Sequence, residues 1–239
     1  MSCVQQLSEP LECHWDEVPA LDANSMGVYE VGPQYILPHI PLSSDELKRF
    51  QNMTHAGRRH EFVRGRAMLR MIIARELLCE PNQVKIEVDG RGRLTLPDFP
   101  EYAVSLSHFK GRMAVGFGPM SHLGIDVLEI PFAPNGSLAR RMMSSKEYAS
   151  WLLLGADRFV RLYHFFAIKE ALIKAVGGTV WQMKQYHLYL DSDQIMMDWP
   201  LDTGFDGGAY MGLTHRTVLA LAVSDCSRLI QRVVLTSPD

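Results

Sequence analysis

Ser43-Ser44-Asp45-Glu46 and Ser144-Ser145-Lys146-Glu147 carry the same helix-opening signal 101 positions apart. Each offers hydroxyls to cap the first N–H groups and acids in the first turn, the arrangement an α-helix start favours. A longer helix follows each, from about Arg58 to Leu78 and from Asp157, read as an N-cap, to Gly177-Gly178. Glycine there suits the left-handed end of a helix. Arg66-Ala-Met-Leu-Arg70 also lines up with Glu170-Ala-Leu-Ile-Lys174 at an offset of 104. A chain that repeats its own order of elements folds as two related units. We therefore expect an α+β protein of two similar α+β lobes, meeting near residue 119. Residues 1–118 form the N-terminal lobe and residues 119–239 the C-terminal lobe.

Strand signals fill in the rest. Val84-Lys-Ile-Glu-Val88 alternates apolar and polar residues and closes on Asp89-Gly90 as a turn. Ala103–Ser107 and Met113–Phe117 flank Lys110-Gly111-Arg112 in a hairpin pattern, and Leu123–Leu128 follows Gly118-Pro119. Tyr186–Leu190, Thr217–Val223 and Arg232–Leu235 also read as strands. Residues 1–42 hold five prolines and little periodicity, so they read as a wrapping segment with one or two short strands.

Composition removes several classes. With 47% apolar and 21% charged residues, 239 residues can bury a full core, which excludes disordered and fibrous architectures. A net charge of -3 argues against a general nucleic-acid binder. Four scattered cysteines without a CxxC pair give neither a disulfide framework nor a zinc ribbon. The polar, acidic N-terminus does not read as a secretory signal, and no apolar run is long enough to span a bilayer. A cytoplasmic protein without membrane or nucleic-acid partners is expected.

Four constellations could carry chemistry. Six arginines and one acid, Glu61, lie between Arg58 and Arg75. On a helix Arg59, Arg66 and Arg70 fall within about 40° of each other and border an apolar stripe. They read either as a solvated basic face with snorkelling stems or as an anion site, since guanidinium forks suit phosphate. In the second long helix Phe159, Leu162, Phe166 and Ile173 form an apolar stripe, with Glu170 about 20° outside its edge and Lys174 at i+4. The pair reads either as an ordinary i, i+4 salt bridge or as part of a site, since a carboxylate so close to a core costs free energy unless a cation or metal compensates it. In Leu123-Gly-Ile-Asp126-Val-Leu-Glu129 the acid Asp126 sits mid-strand in an apolar segment. Paired in space with Glu170 it would make a hard-oxygen site of the kind Mg²⁺ takes with substrate phosphates. Last, His108 lies just past a strand end beside Ser107, with Lys110 and Arg112 near, and reads either as a structural histidine or as a phosphate contact. No GxGxxG, Walker or HExxH pattern is present. Metal-assisted phosphate chemistry is the reading these residues support.

These pieces, in this order, resemble the two-lobed, surfactin-synthetase-activating (Sfp-type) class of 4'-phosphopantetheinyl transferases. The resemblance runs through Arg59-His-Glu-Phe-Val-Arg-Gly65-Arg66, Gly92-Arg93-Leu94, Ser105-Leu-Ser107-His108 and Gly124-Ile-Asp126-Val. It continues through Ala139 to Tyr148 and Phe166-Ala-Ile-Lys169-Glu170-Ala-Leu-Ile-Lys174, covering roughly residues 58 to 178. It implies a monomer with a pseudo-twofold axis between its lobes and coenzyme A in the cleft. Such an enzyme moves 4'-phosphopantetheine from coenzyme A to a serine of an acyl or peptidyl carrier protein of a fatty-acid, polyketide or peptide synthase, leaving 3',5'-ADP. Carried over, Asp126 and Glu170 hold Mg²⁺, Glu170 also serves as base, and Lys174 contacts the pyrophosphate. His108 meets a coenzyme phosphate and Arg93 the adenosine 3'-phosphate end. Ser107, Lys169, Arg59 and Arg66 are further coenzyme contacts. One departure matters: many members carry Asp-x-Glu where this chain has Asp126-Val127-Leu128, with Glu129 on the opposite strand face. Leu128 motivates the alternative of a catalytically weak homologue that binds coenzyme A or a carrier.

Overall fold

The computed structural model describes residues 2–133, 135–192, 194–199, 205–214 and 216–237. The first half contains β1 (Ser2–Cys3), β2 (Gln5–Gln6), β3 (Leu11–Cys13), β4 (Ser25–Val31), α1 (Ser44–Gln51) and α2 (Ala56–Glu76). It continues through β5 (Glu87–Val88), β6 (Leu94–Thr95), β7 (Ala103–Phe109) and β8 (Arg112–Gly118). The second half runs β9 (Leu123–Glu129), α3 (Ser137–Met142), α4 (Ser145–Leu152), α5 (Arg158–Val176), β10 (His187–Asp191) and β11 (Gln194–Asp198). It closes with β12 (Gly208–Thr214), β13 (Thr217–Val223) and β14 (Leu229–Leu235).

The repetition is carried in the strand register. In the first half β4 pairs with β8 and β8 with β7; in the second β9 pairs with β13 and β13 with β12. Ala103 opposes Gly118 in one hairpin, and Gly208 opposes Val223 in the other, a shift of 105 for both partners. Gly27 opposes Phe117 as Gly124 opposes Ala222. Both helix-opening signals form capping boxes: Ser43 accepts from the Glu46 N–H and Ser144 from the Glu147 N–H, while each glutamate accepts from its serine's N–H. Asp157 departs from expectation. Its side chain caps nothing, because the turn Gly155–Asp157 runs straight into α5.

The two sheets pack face to face, with helices outside. Met26, Val28 and Ala114 from one sheet meet Leu123, Ile125, Val127, Leu219 and Leu221 from the other. The outer face of β4 and β8 (Tyr29, Val31, Val115, Phe117) packs with Met68, Leu69, Ile72 and Ile73 of α2. On the far side Val218, Ala220 and Ala222 pack with Ile168, Ala171 and Leu172 of α5. Neither long helix shows the single narrow stripe expected. The buried residues of α5 run through Leu162, Phe165, Ile168, Lys169, Leu172 and Ala175, because sheet and α4 cover different sides.

Further sequence expectations are corrected. Residues 1–42 contain four strands, and β4 is central, lying between β14 and β8. Buried on both faces, its sequence Ser-Met-Gly-Val-Tyr-Glu-Val lacks the alternation of a half-exposed strand. Val84–Val88 is mostly not strand; only Glu87 and Val88 pair, with Thr95 and Leu94. Strands β11 and β12 carry only weak strand signals in the sequence, the latter because two glycines dilute its pattern. The chain ends also cross over: β1 and β2 pair with β11 and β12, while β14 lies between β3 and β4.

Candidate active site

Gly124 brings β9 against α5. A Cβ at Gly124 would lie 1.9 Å from the Ala171 carbonyl oxygen, so any other residue would force strand and helix apart. This close approach sets Asp126, two residues along the strand, beside Glu170 and Lys174, on either side of Ala171. Lys174 Nζ donates to Asp126 Oδ1 at 2.7 Å and to the Ile125 carbonyl at 3.0 Å. Asp126 Oδ1 also accepts from Ser107 Oγ at 2.8 Å. Glu170 receives no such partner among the described residues. Burial pushes its carboxyl pKa up, the Asp126 charge pushes it further, and Lys174 pulls it partly back. Two carboxylates with one lysine leave this place short of positive charge.

Asp126, Glu170 and Lys174 line one open cavity of about 600 Å³ with Ser107, His108 and Leu128. Tyr163 and Phe166 form part of its wall. At the rim Lys110 pairs with Glu129 at 3.4 Å. His108 Nδ1 lies 3.5 Å from Glu61 Oε2, a partner on α2 that the sequence did not disclose. Leu128 is buried and offers the cavity only carbon.

Of the remaining sequence candidates, Lys169, Arg66 and Arg59 lie away from this cavity. Lys169 is fully buried, with its ammonium on Glu147 at 2.6 Å and on the Met142 carbonyl at 3.0 Å, so it presents nothing to a ligand. Arg66 is buried 3.2 Å from Glu46, beside Arg70 at 2.7 Å, and burial draws its pKa down to about 10. Arg59 closes the α1–α2 connection, donating to the Met53 carbonyl at 2.6 Å. Arg93 is held by Asp89 at 2.8 Å and lines a smaller cavity, about 210 Å³, beside Ala175, the residue after Lys174. Ser107 reaches the cavity, but its hydroxyl is committed to Asp126 and to the Val127 N–H.

Among the described residues no cluster of three or more His, Cys, Asp or Glu side chains stands ready for a metal. Asp126 and Glu170 nevertheless form a hard-oxygen pair whose mutual repulsion a divalent cation would relieve. Mg²⁺ is commonly held by one or two carboxylates plus waters and phosphate oxygens, so the donor set fits it.

The family model for the 4'-phosphopantetheinyl transferase superfamily matches residues 122–196, the stretch from β9 through α5 into β11. That stretch holds Asp126, Glu170 and Lys174. That match and the similarity to curated relatives support a 4'-phosphopantetheinyl transferase reading of the chain. It is similar to the 4'-phosphopantetheinyl transferase HetI of Nostoc sp., 30% identical over 154 residues, 62% of this chain and 65% of HetI. It is 25% identical over 175 residues to the 4'-phosphopantetheinyl transferase Sfp of Bacillus subtilis, 67% of this chain and 77% of Sfp. The L-aminoadipate-semialdehyde dehydrogenase-phosphopantetheinyl transferase of Rattus norvegicus is 24% identical over 196 residues, 74% of this chain and 61% of that protein. The chain thus spans about two thirds of the length of these curated relatives. Among the described residues no helix is long and apolar enough to cross a membrane.

Proposed function

We propose that this protein transfers 4'-phosphopantetheine from coenzyme A to a serine hydroxyl of a carrier protein, releasing 3',5'-ADP. The observation that carries this reading is the convergence of Asp126, Glu170 and Lys174 in one cavity, inside the stretch matched to the superfamily. The serine oxygen attacks the phosphorus that bears pantetheine, and the bond from that phosphorus to the bridging oxygen of the pyrophosphate breaks. 3',5'-ADP leaves with the bond's electron pair, and the serine proton passes to Glu170. A carboxyl whose pKa is raised by burial and a neighbouring carboxylate is better matched to that task than a free one. Lys174, anchored on Asp126 and on the β9 backbone, faces the pyrophosphate as a fixed positive charge. His108 takes a coenzyme phosphate, and Arg93 the 3'-phosphate end. Asp126 and Glu170 hold Mg²⁺, which when bound offsets charge on the phosphates. The protein acts as a cytoplasmic monomer. Mass spectrometry of a panel of apo carriers, each mixed with the protein, coenzyme A and Mg²⁺, tests this. One or more carriers should gain the mass of a single phosphopantetheine group; unchanged masses throughout would contradict the assignment.

A further inference from the structure

Strand β9 is the edge of its sheet, and the neighbouring edge strand of the other sheet is β7. No main-chain ladder joins them. Instead, alternate serines on β7 reach across: Ser105 Oγ accepts from the Ile125 N–H at 3.1 Å and Ser107 Oγ from the Val127 N–H at 3.2 Å. Both serines are buried, so these bonds satisfy edge amides that water does not reach. The two hydroxyls differ in one respect. Ser107 also gives its proton to Asp126 Oδ1 at 2.8 Å, and no such bond is made by Ser105. Asp126 Oδ1 therefore takes two donors, Ser107 from the first-half sheet and Lys174 from α5. Its Oδ2 accepts no hydrogen bond among the described residues.

We propose that Ser107 is a positioning residue acting through Asp126. Its hydroxyl, fixed by the Val127 amide, locks the carboxylate so that Oδ1 is spent on the protein and Oδ2 is presented to the cavity. Resting on the metal reading above, this makes Oδ2, with Glu170, the cation-facing oxygen, and makes the site depend on a bond contributed by the other sheet. Groups that orient a metal ligand commonly matter about ten- to a hundredfold in affinity or activity.

Ser105 supplies the control. Ser105→Ala and Ser107→Ala each leave one buried β9 amide without its partner, so both should lower the melting temperature, Ser107→Ala by more because it also loses the bond to Asp126. Only Ser107→Ala should weaken Mn²⁺ binding, measured by electron paramagnetic resonance on the purified chain, by about tenfold or more. Ser105→Ala should leave it within about twofold of the parent. Ser107→Cys keeps the shape but substitutes a weak donor; it covers an alanine variant that does not fold, and should also lose affinity. Equal effects of the two alanines on Mn²⁺ affinity would overturn the proposal. Crystal structures of the metal-free variants read the carboxylate directly. Asp126 should leave its orientation, or split between two, without Ser107, and stay in place without Ser105. An Asp126 unmoved in the Ser107 variants overturns the positioning role whatever the metal does. A parent protein that takes up no Mn²⁺ contradicts the metal reading instead, and the crystallographic comparison still decides the role of Ser107.

Discussion

Glu147 Oε1 lies 2.6 Å from Lys169 Nζ, with side chains 3% and 0% exposed. The same carboxylate closes the capping box with Ser144 and accepts from the Leu188 N–H. In the first half Glu46 caps with Ser43 and holds Arg66 and Arg70. The repeated Ser-x-x-Glu signal thus performs two tasks in each half: it starts a helix and buries an acid against a base of the long helix behind it.

Lys169→Met should leave Glu147 buried and unpaired, a change that costs about 3–5 kcal/mol in comparable pairs. Adding Glu147→Gln should recover part of the loss, because the uncompensated charge is then gone. Urea unfolding of the two variants measures this. The double variant should keep its KM for coenzyme A; a large rise would return Lys169 to the ligand site.

His164 on α5 is 3% exposed, and neither ring nitrogen has a hydrogen-bond partner among the described residues. Burial, then the charge of Arg161, lower its pKa from 6.5 to about 4. The folded state therefore resists protonation that the unfolded state accepts. This contribution is fully present above about pH 6.5 and is lost as pH falls towards 4, to an extent on the order of 3 kcal/mol. Between pH 7.5 and 4.5 the parent should lose that much more unfolding free energy than His164→Leu. Parallel declines would show that His164 takes no part.

The elements that carry chemistry were legible because their signals are local. The capping boxes, β9 with its mid-strand acid and the glycine-ended helix α5 all stand close to where the residues place them. Asp126 and Glu170 each stand out in the sequence as an acid in or at the edge of an apolar stretch, and both line one cavity. What stayed hidden depends on partners far away in sequence. Ser107 meets Asp126 across two sheets, His108 meets Glu61 on α2, and β4 shows no alternation because both its faces are covered. Lys169 and Arg66 flank the right helices but turn inward, a direction set by the buried acids of α4 and α1.

Leu128 stands where an acid would add a further carboxylate to the cavity. It lies on the same strand face as Asp126 and lines the cavity. Leu128→Glu should alter Mg²⁺ affinity or the preference between Mg²⁺ and Mn²⁺ more than the maximal rate, because Mg²⁺ readily keeps waters in its shell. Steady-state rates at saturating Mg²⁺ measure this. A gain of about tenfold or more, equal to about 1.4 kcal/mol of barrier, would mean the natural site lacks a ligand it needs, as in a weakly active binding homologue.

The proposed transfer requires Glu170, beside Asp126, to take the serine proton, and Glu170→Gln removes that capacity at a single site. The substitution removes a carboxylate that burial and Asp126 disfavour, so the fold should be kept and the melting temperature unchanged or raised. With a carrier modified by the parent protein, and coenzyme A and Mg²⁺ saturating, the rate of holo-carrier formation followed by mass spectrometry should fall by about a hundredfold or more. A folded Glu170→Gln protein that modifies the carrier at near the parent rate would contradict the account.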